Sequence, residues 1–454
     1  MNGLQIMITG RSTLLFTAVA ALAAGAAAQT ATQAQPQSQP KPAPRAAPVP
    51  QGPAGALNPG NPDYKPPVGQ AEAQPAPLPP VIWDPVSAQD LIYYIQQVGK
   101  EGLNPADYDA EGLGAALRSG DPAIVSREAT ERFNRLSSDL ALGHVKRAAR
   151  VDWTIPDGDL DAARQDALLR EALATRRLGD ALNGLLPTHP QYAALKSALE
   201  MTPAAETAKI GRIRINLDRW RWLPRDLGQK YIIVNVPGFH ATLVENGVNR
   251  WKERAIAGAL RTPTPQLTAT ATGVILNPWW EVPKSIEPEV RGKKGFVPFV
   301  GKDGKVQRWR QPPGATNALG QLKFVMPNSK AIYLHDTNAR SRFNDRARAL
   351  SHGCIRTQHI VDLATTLLGD DEGTWTPAKV QATLASKKSV QASFVKPLPV
   401  YIVYFSAAGL NDGRIVDYRD IYGRDAKAIA ALNAKDGGAG PVKPKAKAKV
   451  VASR

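Results

Sequence analysis

From Ile82 to about Glu200 the apolar positions recur at helical spacing. Leu91, Ile92, Ile95 and Val98 follow a candidate cap at Ser87, and Phe133, Leu136 and Leu140 share one face farther on. Gly102-Leu103-Asn104-Pro105 and Pro187-Thr188-His189-Pro190 punctuate this stretch, so the pattern predicts a helical domain over residues 81–205. After Arg212 the period falls to two. Tyr231 to Val236, a Pro237-Gly238 turn and Ala241 to Val244 read as a hairpin, and Val274-Ile275-Leu276, Ile332-Tyr333-Leu334 and Val400 to Phe405 read as further strands. The expected class is α+β: a helical domain followed by a mostly β domain over residues 206–425, with a helix from about Thr357 to Leu368. A Gly-, Pro- and Lys-rich insert at about residues 285–320 is too long for a simple connection and reads as a lid over a site.

The flanks follow different rules. Arg11, the apolar run Leu14 to Ala24 and Ala26-Ala27-Ala28 predict an export signal over residues 1–28, with the mature chain starting near Gln29. The competing reading is a retained anchor, but the run is shorter than the ~20 residues that cross a bilayer, and no later segment spans one. Residues 29–80, rich in Pro, Ala and Gln, read as an extended tether, and residues 426–454, ending in the lysine run Lys443 to Lys449, as a basic disordered tail. With 57 Lys+Arg against 40 Asp+Glu, the formal charge of +17 points to anionic surroundings such as cell wall, acidic headgroups or nucleic acid. Export removes nucleic acid from that set.

Cys354 is the only cysteine of the 454 residues, so it forms no disulfide within the chain. It sits in Ser351-His352-Gly353-Cys354-Ile355-Arg356, downstream of His335 in Tyr333-Leu334-His335-Asp336-Thr337. A free cysteine is commonly a small buried apolar side chain. The Ser-His-Gly run before it makes a poor core strand, which favours a nucleophile. An ordinary thiol has a pKa near ~8.5 and needs a partner for its proton. His335, at a strand end, is placed to serve; Gly353 allows a tight turn that aims backbone N–H groups at a developing oxyanion. Tyr333 points to the same side of the strand as His335, so its hydroxyl is a second oxyanion candidate. Trp279 and Trp280 are either core or groove lining. His144, His189, His240 and His359 read as surface or packing histidines. A zinc site from His335, His352, Cys354 and His359 is disfavoured, because ligation consumes the thiolate and no paired ligand spacing supports it.

His335 followed by Ser351-His352-Gly353-Cys354, an apolar residue and Arg356 resembles the catalytic signature of the L,D-transpeptidases. The resemblance extends through Asn216 to Pro224, Asn277 to Pro283 and Asn317-Ala318-Leu319-Gly320, segments similar to the large, scaffold-bearing Gram-negative branch. It implies a periplasmic enzyme without metal or nucleotide cofactor, in which Cys354 is the nucleophile, His335 the general base, Gly353 with Cys354 the oxyanion amides and His352 a support of the loop. Tyr333, Arg356, Trp280 and Asn317 are then candidate substrate-binding residues. The implied reaction forms a thioester with a peptidoglycan stem peptide and passes it to a second stem as a 3→3 cross-link. Water as acceptor would make an L,D-carboxypeptidase, and a protein amine would anchor outer-membrane proteins to the wall. A wall-binding structural protein with an idle site is the reading from another class. Two departures stand out. Between Leu199 and Ile213 there is no room for the ~50-residue wall-binding module common in that branch. Arg356 stands where smaller relatives often carry asparagine, leaving open bidentate carboxylate binding or a structural ion pair.

Overall fold

The computed structural model describes residues 79–370 and 372–438; the expected signal, most of the tether and the lysine run lie outside the described residues. The helical part comprises α1 (Pro85–Gln97), α2 (Ala110–Ser119), α3 (Pro122–Leu142), α4 (Ala162–Thr175), α5 (Leu178–Asn183), α6 (Pro190–Met201) and α7 (Thr207–Arg221). Asp84, and not Ser87, caps α1: its carboxylate accepts from the Val86 and Ser87 N–H groups, and the Ser87 hydroxyl donates to it from inside the helix at 2.6 Å. Leu91, Ile95, Phe133, Leu136 and Leu140 meet in one core with Trp83 and Leu182. Among the described residues no helix is long and apolar enough to cross a membrane.

The β part holds β1 (Lys230–Asn235), β2 (His240–Glu245), β3 (Val248–Gly258), β4 (Leu267–Leu276), β5 (Trp280–Glu281), α8 (Glu287–Val290), β6 (Val297–Val300), β7 (Val306–Gln311), β8 (Leu322–Val325), β9 (Leu334–His335), β10 (Ala349–Ser351), β11 (Ile355–Thr357), α9 (Ile360–Gly369), α10 (Pro377–Ala385), β12 (Val390–Val403), β13 (Ala407–Gly409), β14 (Ile415–Asp417) and α11 (Arg424–Asn433). The large sheet runs β10-β3-β11-β9-β8-β4-β12-β1-β2 and returns on itself through the β2–β3 pairing. Alternation puts Ile232, Val234, Ala271, Phe324, Leu334, Ile355 and Ile402 into one core, which the apolar face of α9 covers with Leu363 and Leu367. The insert at residues 285–320 is ordered. β6 and β7 pair with each other and with β5 in a separate sheet, around a small cluster of Val282, Ile286 and Val290 with Trp280, Phe296 and Trp309 packed on it.

Two expected boundaries move. The chain stays helical through Arg221: Ile213 and Ile215 alternate like a strand, but Ile213, Leu217 and Trp220 form a helical stripe. The tail does not begin at residue 426. Ala428, Ala431 and Leu432 of α11 are buried in a cluster with Leu217, Trp220, Tyr401 and Phe405, a helix whose small apolar residues carry too weak a periodic signal to announce it.

That cluster also fuses the helical and β parts. Its polar centre is the end of α7, where the Asp218 carboxylate accepts from the N–H groups of His144 (2.8 Å) and Val145 (3.1 Å) and from the Trp222 indole (2.8 Å). Arg221, wholly buried, donates to Asp218 (3.3 Å), the Tyr192 hydroxyl (2.7 Å) and the Glu101 carbonyl. Removing one partner of such a set strands the others without water. Asp218→Ala is therefore expected to cost about 3–5 kcal/mol, and Leu432→Ala about 2–5 kcal/mol. Urea unfolding midpoints measure both; an unchanged midpoint in Leu432→Ala would mean that α11 is not docked.

Candidate active site

Only two residues of β9 pair with β11, in parallel, with Leu334 opposite Ile355 and His335 opposite Arg356. The Ile355 N–H donates to the Tyr333 carbonyl at 3.0 Å, so Cys354 lies alongside Tyr333. Leu334 and Ile355 point into the core with no exposed surface. Alternation turns Tyr333, His335, Cys354 and Arg356 to the other face. β8 adds Lys323, directly across from His335, with its ammonium 5.2 Å from the Tyr333 ring centre. The Tyr333 and His335 rings meet edge to face at 5.6 Å. Burial, and after it the Cys354 sulfur, pushes the Tyr333 phenol well above its ordinary value, with the Trp280 indole acting against them. The thiol donates to the Ala331 carbonyl at 3.7 Å.

The turn carrying Cys354 is strapped from behind. Gly353 has φ +116°, a conformation side chains resist, and its carbonyl accepts from the Thr264 hydroxyl at 2.7 Å. The Ser351 carbonyl accepts from the Ala259 N–H (2.7 Å) and the Thr262 hydroxyl (3.0 Å), and the Ser351 hydroxyl donates to the Cys354 carbonyl at 2.6 Å. Behind the turn Gly258 comes so close that a Cβ there would sit 3.1 Å from the Gly353 Cα.

Burial sets the electrostatics. His335, 4% exposed, has its pKa pushed down to about 3, first by burial and then by the Arg356 and Lys323 charges, and its Nδ1 has no hydrogen-bond partner. Burial pushes the Cys354 thiol up, against the Tyr333 backbone N–H and hydroxyl and against Lys323 and Arg356. Burial lowers Lys323 and Arg356 as well, and Arg356 Nε has no partner. Among the described residues no carboxylate forms an ion pair with Arg356 or Lys323. The resting face is thus a neutral thiol and a neutral imidazole beside two cations with no carboxylate in ion-pair contact among the described residues, Glu281 acting on Lys323 only from a distance, an arrangement suited to an anionic ligand.

Several expected roles change. The Gly353 N–H is spent on the Ser351 hydroxyl at 3.1 Å and is not free for an oxyanion. Asn317 is fully buried and uses its amide within the chain, donating to the carbonyls of Pro278 (3.0 Å), Pro312 (2.9 Å) and Gln311 (3.3 Å) and accepting from the Leu319 N–H (2.8 Å). It shapes the end of the insert and does not face a ligand. Trp280 packs on the small cluster of the insert and acts on the site by opposing the upward shift of the Tyr333 phenol, whereas Trp279 lies under the Arg310 guanidinium at 4.3 Å. His352 is exposed and 3.3 Å from Glu289 of α8, joining the turn to the insert. β11 and a turn separate Cys354 from α9, so the thiol is not at a helix N-terminus. His359 is exposed on Glu253 at 2.9 Å, and among the described residues no three His, Cys, Asp or Glu side chains are grouped to hold a metal. The residue reading missed Lys323, Gly258 and Thr264. Lys323 is visible only through strand register, and the Thr-Pro-Thr-Pro run at 262–265 offered merely a turn signal.

Residues 229–391 match the family described as the L,D-transpeptidase catalytic domain, and residues 80–199 match the Scaffold domain. A Haemophilus influenzae protein named "Putative L,D-transpeptidase" is 28% identical over 349 residues, covering 68% of this chain and 70% of its own length. Residues 80–199 and 229–391 are thus a Scaffold domain followed by an L,D-transpeptidase catalytic domain. Among solved structures, an L,D-transpeptidase from Mycobacterium smegmatis is 15% identical with a TM-score of 0.21, covering 38% of this chain and 58% of that one. The Enterococcus faecium enzyme is 13% identical with a TM-score of 0.22, covering 40% and 52%. The chain thus spans a little over half of each, and scores this low carry no weight for its architecture.

A thiol whose pKa lies above its ordinary value gains thiolate as pH rises, whereas an imidazole held near 3 stays neutral throughout the neutral range. Alkylation of Cys354 by iodoacetamide should accordingly climb about tenfold per pH unit from 7 to 9, with no inflection near 6.5. Lys323→Met removes a charge that favours the thiolate and should slow the reaction several-fold at pH 8. A plateau at pH 7 would instead indicate a preformed thiolate–imidazolium pair.

Proposed function

We propose that this protein is a peptidoglycan L,D-transpeptidase whose acyl-enzyme is a thioester on Cys354. The observation that carries the reading is the single face of β9 and β11, which holds the chain's only thiol with Tyr333, His335, Arg356 and Lys323. The Cys354 sulfur attacks the carbonyl of the third, diaminopimelyl residue of a tetrapeptide stem while its proton passes to His335. The Tyr333 hydroxyl donates to the developing oxyanion. The bond to the terminal D-alanine breaks, its nitrogen takes the proton from His335, and a thioester remains. An acceptor amine then attacks, gives its proton to the imidazole and restores the thiol.

The two unpaired cations explain why substrate must participate. Arg356 and Lys323 depress the basicity of His335. A stem carboxylate bound to them would neutralise that effect and make the imidazole a better base only once the substrate is present. The preferred acceptor is a second stem, giving a 3→3 cross-link; water and protein amines would use the same acyl-enzyme. The formal charge of +17 favours residence against the anionic wall, and the N-terminal sequence favours export to the periplasm.

Purified protein incubated with tetrapeptide muropeptides should yield cross-linked products by mass spectrometry, and Cys354→Ala should yield none while keeping its fold. Turnover by Cys354→Ala would contradict the mechanism. Hydrolysed tripeptide as the sole product would change the acceptor to water. A carbapenem, whose strained lactam acylates thiol enzymes of this class, should add its mass to Cys354, and an active enzyme without any adduct at inhibitor excess would count against this chemistry.

A further inference from the structure

The Scaffold domain reaches the nucleophile turn through a short chain of contacts that the reaction above leaves unused. Residues 151–154, at its edge, run beside residues 264–266. The Gln266 N–H donates to the Asp152 carbonyl at 2.8 Å, and the Thr154 N–H to the Gln266 carbonyl at 2.9 Å. Asp152, at φ +50° and largely exposed, accepts from Arg424 Nη2 at 2.6 Å, and the same nitrogen donates to the Thr264 carbonyl at 3.0 Å. Arg424 is buried between Tyr404 and Tyr422, with ring centres 4.8 and 4.9 Å away, and its Nε and Nη1 have no partner. The stacked rings and the Asp152 carboxylate therefore hold it. The Tyr422 hydroxyl donates to the Gly258 carbonyl (2.6 Å) and accepts from the Thr264 N–H (3.2 Å). Thr264, without exposed surface, accepts from the Gly258 N–H (2.9 Å) and donates to the Gly353 carbonyl (2.7 Å).

The last contact has a chemical consequence. The Gly353 carbonyl and the Cys354 N–H belong to one planar peptide unit and point in opposite directions, so whatever pins the carbonyl aims the N–H. The Gly353 N–H is already taken by Ser351, which leaves the Cys354 N–H as the backbone donor of this turn for an oxyanion formed on the substrate. Glycine at φ +116° allows the unit to rotate, and only its hydrogen bonds hold it still. We propose that Asp152, Arg424 and Thr264 are positioning residues through which the Scaffold domain fixes the Gly353–Cys354 peptide and thereby orients the Cys354 N–H toward the transition state. This rests on Cys354 being the acylated nucleophile.

The test compares full-length wild type with Thr264→Val, Thr264→Ser, Asp152→Gly and Asp152→Asn. Glycine tolerates the positive φ at 152, so that change removes the carboxylate without backbone strain. The readouts are kcat and KM for tetrapeptide turnover, the rate of Cys354 alkylation by iodoacetamide, and a thermal melt. Thr264→Val is expected to lower kcat at least tenfold with KM within about twofold, because the lost interaction forms in the transition state. Its alkylation rate should stay within about twofold, since that reaction forms no oxyanion. Thr264→Ser, which keeps the hydroxyl, restores kcat to within about twofold. Asp152→Gly lowers kcat about threefold or more, and Asp152→Asn, which keeps an acceptor for Arg424, restores it. Wild-type kcat in folded Thr264→Val and Asp152→Gly overturns the proposal, as does a loss that falls on KM or on alkylation equally. If Thr264→Val does not fold, the Asp152 pair decides by the same criteria. Cys354→Ala runs alongside: turnover by it overturns the thioester reading and this inference together, whereas an inactive Cys354→Ala with wild-type kcat in the other variants overturns this inference alone.

Discussion

The site depends on a two-residue parallel pairing. Because Leu334 and Ile355 anchor β9 and β11 in a dry core, the register is fixed, and a slip of one residue would turn His335 and Arg356 into the apolar core and the anchors out of it. With the register held, Tyr333 comes beside Cys354, Arg356 beside His335, and Lys323 across from His335 on β8. The chemistry of the face is inherited from packing on its reverse side. Mutations in the core under β9 are therefore expected to act on the reaction by displacing one side chain relative to another rather than by deleting any.

The electrostatic design of that face differs from a ready-made ion pair. Burial favours the neutral forms of both thiol and imidazole, and the nearby cations favour sulfur as anion but oppose a charged imidazole. Those two influences compete, and the outcome without substrate is a quiet thiol. A thiol kept neutral until a ligand binds is less open to oxidation than a permanently ionised sulfur. In the proposed reaction an anionic stem would supply a counter-charge.

Much of this was legible in the sequence, for identifiable reasons. The hairpin at residues 231–244 announced itself because its alternation matches a half-buried strand, and Cys354 with His335 because rare residues stood in a segment unsuited to a core. What failed were features decided by tertiary contacts. Ile213 and Ile215 mimicked a strand inside α7, Asp84 took the cap that Ser87 seemed to offer, and Asn317 proved to be a turn-builder whose amide is consumed by three carbonyls. The Gly353 N–H was lost to a serine hydroxyl two residues away, a contact no periodicity encodes. Lys323, Thr264 and Arg424 come to the site from distant stretches of chain, and only the closed sheet and the docked α11 bring them there.

The central claim is that substrate carbon becomes bonded to Cys354. Intact-protein mass spectrometry after rapid mixing with a tetrapeptide muropeptide tests it most directly. The account predicts a transient mass increase equal to the muropeptide less its terminal D-alanine, located by peptide mapping to the segment that contains Cys354. Turnover of the muropeptide with the acyl group on another residue, or with no covalent adduct at any time or acceptor concentration, would contradict it.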